Sequence, residues 1–429
     1  MPQHETYKDS GAAWIGNIPC TWETGVIGAL YTLRNTKVSD SEYPPLSVTM
    51  KGIVPQLETA AKTDAHDARK LVLKGDFAIN SRSDRRGSCG ISDYDGSVSL
   101  INTVLTPRGK MNPQYYNWLF HAVQFADEFY KNGHGIVDDL WTTCWNEMKR
   151  ILIPVPPMEE QAGIADYLEN KIAHIDSVIA EVNASIEEYK AWKASIIYEA
   201  VTKGLDPNVE MKDSGVEWIG EIPSDWKVCK TLYALSMPIT DGPHTTPELY
   251  DDGIPFVSAE AVSCGKGKIA FDHIRGYISE AFYNECCLKY IPQKNDIYMI
   301  KSGATTGRVS YVDTDIKFTI WSPLAVFRCN ENRMYFKYLF YFLQSDAYQK
   351  QVQLGWTYGT QQNIGMRTLE TLKVCLPPID VQQNIATHLD NKCETIDGLI
   401  EEKELLISDL EAYKKSLIFE VVTGKRKVV

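Results

Sequence analysis

Apolar residues recur at alternating steps of three and four along two stretches of the chain, residues 161–201 and 382–422. This spacing is a heptad pattern, which predicts one long helix with a single apolar stripe in each stretch. The stripe positions are Leu168, Ile172, Ile175, Ile179, Val182, Ile186 and Trp192 in the first stretch, and Leu389, Ile396, Ile400, Ile407 and Leu410 in the second.

The sequence also marks where these helices begin and end. Pro156-Pro157 and Pro377-Pro378 precede the two stretches, and Gly204 and Gly424 follow them. About 40 helical residues make a rod of roughly 60 Å, which cannot bury its stripe alone. A coiled coil between two chains would cover the stripe, but two such helices in one chain favour an intramolecular antiparallel pair.

Two sequence blocks occur twice in the chain. The block Lys8-Asp9-Ser10-Gly11-x-x-Trp14-Ile15-Gly16-x-Ile18-Pro19-x-x-Trp22 returns at Lys212–Trp226, and Pro156–Thr202 returns at Pro377–Thr423. Between these blocks the two halves differ strongly. We therefore expect a duplicated chain with pseudo-twofold symmetry, in which globular regions 1–157 and 205–378 alternate with helical segments 158–204 and 379–429.

Both globular regions combine short β-rich runs with helical patterns. Asp296–Ile300 and Lys317–Ile320 are typical of strands, whereas Met334–Leu343 is typical of a helix. The predicted fold class is therefore two α/β (α+β) domains that alternate with two long, paired helices.

The acidic residues of the chain are concentrated in the predicted helices. A net charge of -12 argues at first against a polyanionic partner. Residues 158–203 and 379–429, however, hold eight of the twelve excess negative charges. The rest of the chain therefore carries little excess negative charge, which leaves room for local basic loops. Candidates are Arg69-Lys70, Lys74 and Arg82–Arg86.

Composition and the N-terminal sequence bear on the compartment. Met1–Gly11 lacks the basic-then-apolar order of a signal peptide, and no apolar stretch reaches the roughly 18 residues that cross a bilayer. We expect a cytoplasmic protein without a membrane partner. The ten cysteines include no Cys-x-x-Cys pair, so zinc-ribbon spacing is absent.

The second globular region contains three loops whose side chains suit DNA. Asp296–Arg308 is a predicted strand-loop-strand unit with cations, hydroxyls and glycines, through which backbone can approach phosphates. An ordinary solvated hairpin is the alternative. The loop at Asp241–Pro247 adds donors, and Tyr358–Asn363 adds amides suited to adenine edges. The candidate contacts are His244, Thr245, Thr246, Lys301, Ser302, Thr305, Thr306, Arg308, Tyr358, Thr360, Gln361, Gln362 and Asn363.

The first globular region has its own version of this hairpin at Asp76–Gly87. Its candidate DNA contacts are Arg82, Arg85 and Arg86. The late loop Gly135–Trp141 has two aspartates where the second region has glutamines and an asparagine, which implies different base preferences. The tryptophans of the repeated block (Trp14, Trp22, Trp218 and Trp226) are shared by both halves, which favours core packing over base stacking.

Sequence patterns of enzymes are missing. The chain has no G-x-x-x-x-G-K-[ST], G-x-G-x-x-G, Asn-Pro-Pro-Tyr, Asp-Pro-Pro-Tyr or H-E-x-x-H, so we expect neither a catalytic nor a metal site. Glu147-x-Lys149 and Glu210-x-Lys212 match only the end of a nuclease motif. A coiled-coil scaffold that binds protein alone is a third possibility, which fits the acidity but leaves the two divergent globular regions unexplained.

The combined motifs resemble the specificity subunits of type I restriction-modification systems, the HsdS family, over essentially the whole chain. The residues that carry the resemblance are the duplicated Lys-Asp-Ser-Gly block, the Pro-Pro-x-x-x-Gln-x-x-Ile-Ala helix starts at Pro156 and Pro377, and Gly359-Thr360-Gln361-x-Asn363-Ile364. The first half departs from the family pattern at its late loop and lacks the Asp-Gly-Pro-His-Thr-Thr-Pro stretch.

This resemblance implies a non-catalytic subunit that binds double-stranded DNA. Each globular region would be a target-recognition domain for one half of a split, asymmetric site, and the helices would fix the gap between the halves. The implied partners are two modification (methyltransferase) subunits and restriction (translocase and nuclease) subunits. The chain itself would hold no cofactor, whereas S-adenosylmethionine, ATP and Mg²⁺ would belong to the partner subunits.

Overall fold

The chain divides into two units, each built from one globular region and parts of both long helices. Unit 1 comprises Met1–Asn183 with Glu404–Val429, and unit 2 comprises Ala184–Lys403. The structure is a computed structural model that describes residues 4–57, 67–135, 141–358 and 362–428.

The first globular region and the helix that follows it contain thirteen strands and five helices among their described residues. The strands are β1 (Tyr7–Asp9), β2 (Asn17–Pro19), β3 (Glu23–Val26), β4 (Tyr31–Arg34), β5 (Lys37–Val38), β6 (Leu46–Thr49), β7 (Gly52–Pro55), β8 (Arg69–Val72), β9 (Phe77–Asn80), β10 (Cys89–Ile91), β11 (Gly96–Val98), β12 (Asn102–Pro107) and β13 (Leu152–Val155). The helices are α1 (Ile27–Leu30), α2 (Pro113–His121), α3 (Val123–Lys131), α4 (Trp145–Met148) and the 46-residue α5 (Met158–Lys203).

The described part of the second half follows the same plan. Its strands are β14 (Met211–Asp213), β15 (Glu221–Pro223), β16 (Lys227–Lys230), β17 (Thr240–Asp241), β18 (Ile254–Val257), β19 (Tyr277–Ile278), β20 (Ile297–Ile300), β21 (Val309–Tyr311), β22 (Thr319–Ile320), β23 (Leu324–Phe327), β24 (Thr357–Tyr358), β25 (Gln362–Asn363) and β26 (Lys373–Leu376). Its helices are α6 (Thr231–Ala234), α7 (Ala259–Ser263), α8 (Glu280–Cys287), α9 (Phe336–Gln344), α10 (Asp346–Leu354), α11 (Met366–Thr371) and the 44-residue α12 (Ile379–Val422).

Each unit has one antiparallel four-stranded sheet with equivalent strand order. The order is β10-β9-β12-β4 in unit 1 and β21-β20-β23-β17 in unit 2. A three-stranded sheet accompanies each of them, as β11-β8-β5 and as β19-β18-β22. The predicted fold class, with two mixed α and β domains and two long helices, is confirmed.

Both long helices begin and end where the prolines and glycines predict. Gly204 and Gly424, which follow α5 and α12, have φ angles of +80° and +73°. This left-handed conformation suits glycine at a helix end because glycine has no Cβ. At the start of each helix a buried glutamine accounts for the Pro-Pro-x-x-x-Gln motif: Gln161 donates to Pro156 O and Gln382 donates to Pro377 O, both at 2.8 Å.

In unit 1 the start of α5 lies antiparallel to the end of α12. Asp176 pairs with Lys414 at 2.6 Å, and Tyr167, further toward the N-terminus of α5, pairs with Arg426, which follows the C-terminal end of α12. The globular region packs on this helix pair, and Tyr115 donates a hydrogen bond of 2.7 Å to Val422 O.

Unit 2 repeats the arrangement with the other two helix ends. Lys193 pairs with Asp397 at 2.6 Å, and the Lys403 ammonium lies 5.5 Å from the centre of the Tyr189 ring. Tyr338 donates to Val201 O at 2.9 Å, as Tyr115 does to its helix in unit 1. The predicted antiparallel pairing is therefore present within each unit.

The seam positions fall into two classes of burial. Leu168, Ile172, Ile175, Ile186, Leu389 and Ile396 are buried, whereas Ile179, Val182, Ile400, Ile407 and Leu410 are half-buried. The difference has a simple cause, because a seam between two helices has open flanks unless a globular region covers it. Trp192 is 50% exposed, so its expected place in the seam is wrong, and the buried apolar residues in this part of α5 include Ile197, Ala200 and Val201.

The repeated tryptophan block joins each globular region to a helix end. Trp22 and Trp226 are 0% and 3% exposed. A Cβ on Gly424 would lie 3.1 Å from the Trp22 ring, and a Cβ on Gly204 would lie 3.2 Å from the Trp226 ring. The block is a packing element, as predicted, and this explains why both halves carry it.

Burial along α12 leads to a stability prediction. Leu389 is 0% exposed in the core of unit 2, whereas Leu405 on the same helix is 63% exposed. We expect Leu389→Ala to lower the free energy of unfolding by about 2–5 kcal/mol through the cavity it leaves. Leu405→Ala is the matched control, with an expected change within about 0.5 kcal/mol. Urea unfolding measures both, and equal losses would contradict the assigned burial.

Candidate nucleic-acid interface

In unit 2 the three loops singled out in the sequence lie next to one another. The β20–β21 hairpin loop contacts the late loop, since Gly303 N donates to Gln362 O at 3.0 Å and Ile364 N donates to Lys301 O at 2.9 Å. The loop that begins at Asp241 joins them, because the Asp241 carboxylate lies 3.2 Å from the Lys301 ammonium. The three segments therefore lie together at one end of the four-stranded sheet, where β17 and β20 both end.

Asp241 is the buried anchor of this end of the sheet. The residue is 1% exposed, and its two oxygens contact the Lys289 ammonium, the Lys301 ammonium and, at 3.3 Å, His244 Nε2. Burial acts to raise the pKa of the Asp241 carboxyl, but the hydrogen bond and charge of Lys289, together with the charge of Lys301, outweigh it and lower that pKa. The carboxylate is thus ionised at neutral pH and holds two cations at this end of the sheet.

The candidate residues of unit 2 differ in their availability to a ligand. His244, Thr245, Thr246, Arg308, Gln362 and Asn363 are exposed, and Ser302 and Thr305 are half-buried. The Lys301 side chain is only 13% exposed and its charge faces Asp241, so the geometry favours a role in shaping the loop. Thr306 donates to Gly303 O at 2.7 Å and closes the turn. Thr360, Gln361 and the side chain of Tyr358 lie outside the described residues.

The four-stranded sheet of unit 1 has a corresponding end. The loop between β9 and β10 contacts the late loop, with Ser83 N donating to Trp141 O at 3.2 Å and Thr143 N donating to Ser81 O at 3.0 Å. Residues 136–140 of the late loop, including its two aspartates, lie outside the described residues. The same pair of loops therefore meets in both units, with different side chains on them.

The arginines of the unit 1 hairpin already contact acidic or aromatic groups. Arg86 pairs with Asp127, and its guanidinium lies 5.7 Å from the centre of the Tyr130 ring. Arg85 lies 3.7 Å from Asp84, and both side chains are largely exposed, whereas Arg82 is half-buried. DNA phosphates would compete with these surface carboxylates, which hold the arginines only weakly.

The prediction of a basic loop at Arg69-Lys70 is wrong. These residues form strand β8, where Arg69 is 6% exposed and donates to Ser97 Oγ at 2.8 Å and Ser97 O at 3.0 Å. Lys70 donates to Asn102 O at 2.6 Å. Both cations satisfy backbone oxygens inside the unit, and burial lowers the pKa of each.

Two structural features of this region escaped the sequence reasoning. One is the cluster that Asp241 forms with Lys289 and Lys301, and the other is the stacking of Arg275 on Trp321. The partners are distant in sequence, so no local pattern could reveal them. Within the described ranges, no three His, Cys, Asp or Glu residues are placed to hold a metal ion.

The lysines of both nuclease-like tripeptides have structural partners, and Lys149 donates to Asn146 Oδ1 at 2.9 Å. Lys212 donates to Ser224 O at 2.6 Å, in the same place in the repeated block where Lys8 donates to Cys20 O at 3.2 Å.

Over the described part of the chain, no helix is both long and apolar enough to span a membrane.

Comparison with known proteins agrees with this geometry. The family model for the type I restriction modification DNA specificity domain matches residues 244–406. The type I restriction enzyme MjaX specificity subunit of Methanocaldococcus jannaschii is 29% identical, with 96% of each chain covered. The MjaVIII specificity subunit of the same organism is 26% identical over 78% of this chain and 75% of its own.

Solved structures show the same fold. A chain from a study of complex assembly and conformational transition of the type I restriction-modification system has a TM-score of 0.70 at 15% identity, with 94% of this chain and 98% of that chain covered. The HsdS subunit from Thermoanaerobacter tengcongensis has a TM-score of 0.51 at 17% identity, covering 95% and 98%.

Two units, each with a pair of meeting loops on paired helices, accompany these matches. The chain is similar to the specificity subunits of type I restriction-modification systems, the HsdS family, as its sequence motifs predict.

Proposed function

We propose that each unit reads one half of a bipartite, asymmetric DNA site and that the long helices set the gap between the halves. The observation that carries this proposal is the repetition of one sheet with one pair of meeting loops in both units, while the exposed side chains on those loops differ. Two scaffolds with the same sheet and loops, but with different exposed side chains on those loops, suit two different half-sites.

The proposed chemistry is recognition without catalysis. This chain would contribute neither catalytic residues nor a cofactor. Two modification subunits would dock on the helices and methylate adenine with S-adenosylmethionine, and restriction subunits would use ATP and Mg²⁺. The chain would thereby direct both methylation and cleavage to the same sites.

Arg308 allows a test of half-site assignment. It is exposed on the hairpin loop of unit 2, so we expect Arg308→Ala to weaken binding to the second half-site by about tenfold while leaving discrimination at the first unchanged. Arg85→Ala, on the hairpin of unit 1, is the matched control and should show the reverse. Competition binding with duplexes altered in either half measures both.

Lys301→Ala extends this test. Its ammonium holds the loop through Asp241, so its loss should also weaken only the second half-site. Equal losses at both halves in a variant that unfolds at the same urea concentration as the wild type would contradict the assignment of units to half-sites.

A further inference from the structure

An arginine stacked on a tryptophan lies beside the candidate interface of unit 2. The Arg275 guanidinium carbon is 4.8 Å from the centre of the Trp321 ring. Arg275 is exposed and Trp321 is half-buried. The centre of the buried Phe256 ring lies 6.2 Å from the centre of the indole. The indole is therefore a fixed platform that holds a cation at the surface.

Backbone contacts place this platform between two of the candidate loops. Gly242 lies directly against the 320–321 peptide, since a Cβ there would come within 2.8 Å of the Trp321 carbonyl carbon. Lys301 N donates to Pro323 O at 2.8 Å, which puts residues 321–323 against the start of the hairpin loop. Trp321, on which Arg275 stacks, therefore lies beside the segment that carries Gly242 and His244.

The charge of Arg275 is available. Among the residues that the structure describes, no carboxylate lies within salt-bridge distance of its guanidinium, and its contact is with the ring alone. Arg328 of the same unit differs, because Asp296 binds it at 2.7 Å. A guanidinium that stacks by its face keeps its N–H edges free for a bidentate anion.

We propose that Arg275 binds a phosphate of the DNA backbone beside the second half-site, with Trp321 as the platform that orients it. This inference rests on the proposed function, since it takes DNA as the ligand of this end of the sheet. Phosphate is the chemistry favoured by an exposed cation outside the three polar loops, because such contacts fix register and carry no sequence information.

Salt-dependent binding tests the proposal directly. The complex of this chain with its modification subunit is titrated with a duplex that carries its methylated motif, over a range of salt concentrations. Each phosphate contact contributes about 0.9 to the slope of log affinity against log salt, so Arg275→Ala should reduce that slope by roughly 0.9. Binding should weaken by about tenfold, and the methylated motif should stay unchanged.

Arg333→Ala is the matched control. Arg333 also stacks on an aromatic ring, with its guanidinium carbon 4.3 Å from the centre of the Tyr233 ring. It lies beside the start of α12, where its backbone carbonyl accepts a hydrogen bond from the Gln382 side chain, and it belongs to none of the three candidate loops. The control should keep the wild-type slope, and Arg275→Lys should keep most of it because the positive charge remains.

Three results would overturn the inference. A wild-type slope in Arg275→Ala would show that no phosphate is bound there, and an equal loss of slope in Arg333→Ala would show a general effect of charge. A changed base in the methylated motif would assign Arg275 to base recognition instead of phosphate binding. Failure of the proposed function is distinct, because the wild-type complex itself would then methylate no specific motif.

Discussion

Inserting one heptad into each long helix, after Asn183 and after Lys403, is expected to lengthen the gap in the recognised site and to leave both half-sites unchanged. Seven residues add about 10.5 Å of helix, which corresponds to about three base pairs of B-DNA. A whole heptad keeps the seam in phase, so Ile179 and Ile186 on α5 keep their apolar register. Sequencing of methylated DNA measures the new gap.

A heptad inserted into α5 alone is the control for this experiment. It shifts one helix against the other and should abolish methylation, because the ion pairs Asp176–Lys414 and Lys193–Asp397 can then no longer form at the same time. An unchanged gap in the doubly inserted protein would refute the role of the helices as a spacer.

Removing the buried Asp241 carboxylate is expected to abolish recognition of the second half-site. Asp241→Ala leaves Lys301, only 13% exposed, without its counter-charge, and breaking such a buried pair costs about 3 kcal/mol. The loops that begin at Asp241 and Lys301 would then lose their common anchor. Competition binding should show that the first half-site is still discriminated while the second is read poorly or not at all.

Asp272→Ala is the matched control for Asp241. Asp272 is an exposed aspartate of the same unit that pairs with His273 at 3.1 Å, so its loss should change the free energy of unfolding by no more than about 0.5 kcal/mol. Similar effects of the two substitutions would contradict the anchoring role of Asp241.

The pH dependence of this effect has a defined sign. Lys289 and Lys301 lower the pKa of Asp241 in the folded protein, so the ionised carboxylate stabilises unit 2 fully above the ordinary aspartate pKa of 3.8. That contribution is lost as the pH falls through the lowered, folded-state pKa. The difference in unfolding free energy between wild type and Asp241→Asn should therefore be largest near neutral pH and shrink in acid.

The sequence predicted the long helices well because their signals are local. Proline pairs, heptads and the terminal glycines each act within a few residues, and α5 and α12 begin and end beside them. Burial at Trp192 was mispredicted because the last turns of α5 pack on the globular region through Ile197 and Val201, so the buried face changes there. A heptad count cannot register that change.

The same distinction between local and long-range signals applies to the candidate site. Both hairpins were identified because each combines a short apolar strand with a loop rich in glycine or arginine. That the hairpin loop meets the late loop in both units, that Lys301 faces a buried carboxylate and that Arg275 stacks on Trp321 all depend on long-range packing. The sequence contains no periodic pattern for such contacts.

Modified-base sequencing of genomic DNA from cells that express this chain with its modification subunit tests the central claim most directly. The account predicts adenine methylation confined to one split, asymmetric motif, which would reveal both half-sites and the gap. Absence of sequence-specific methylation, despite a purified complex of the two subunits, would contradict it.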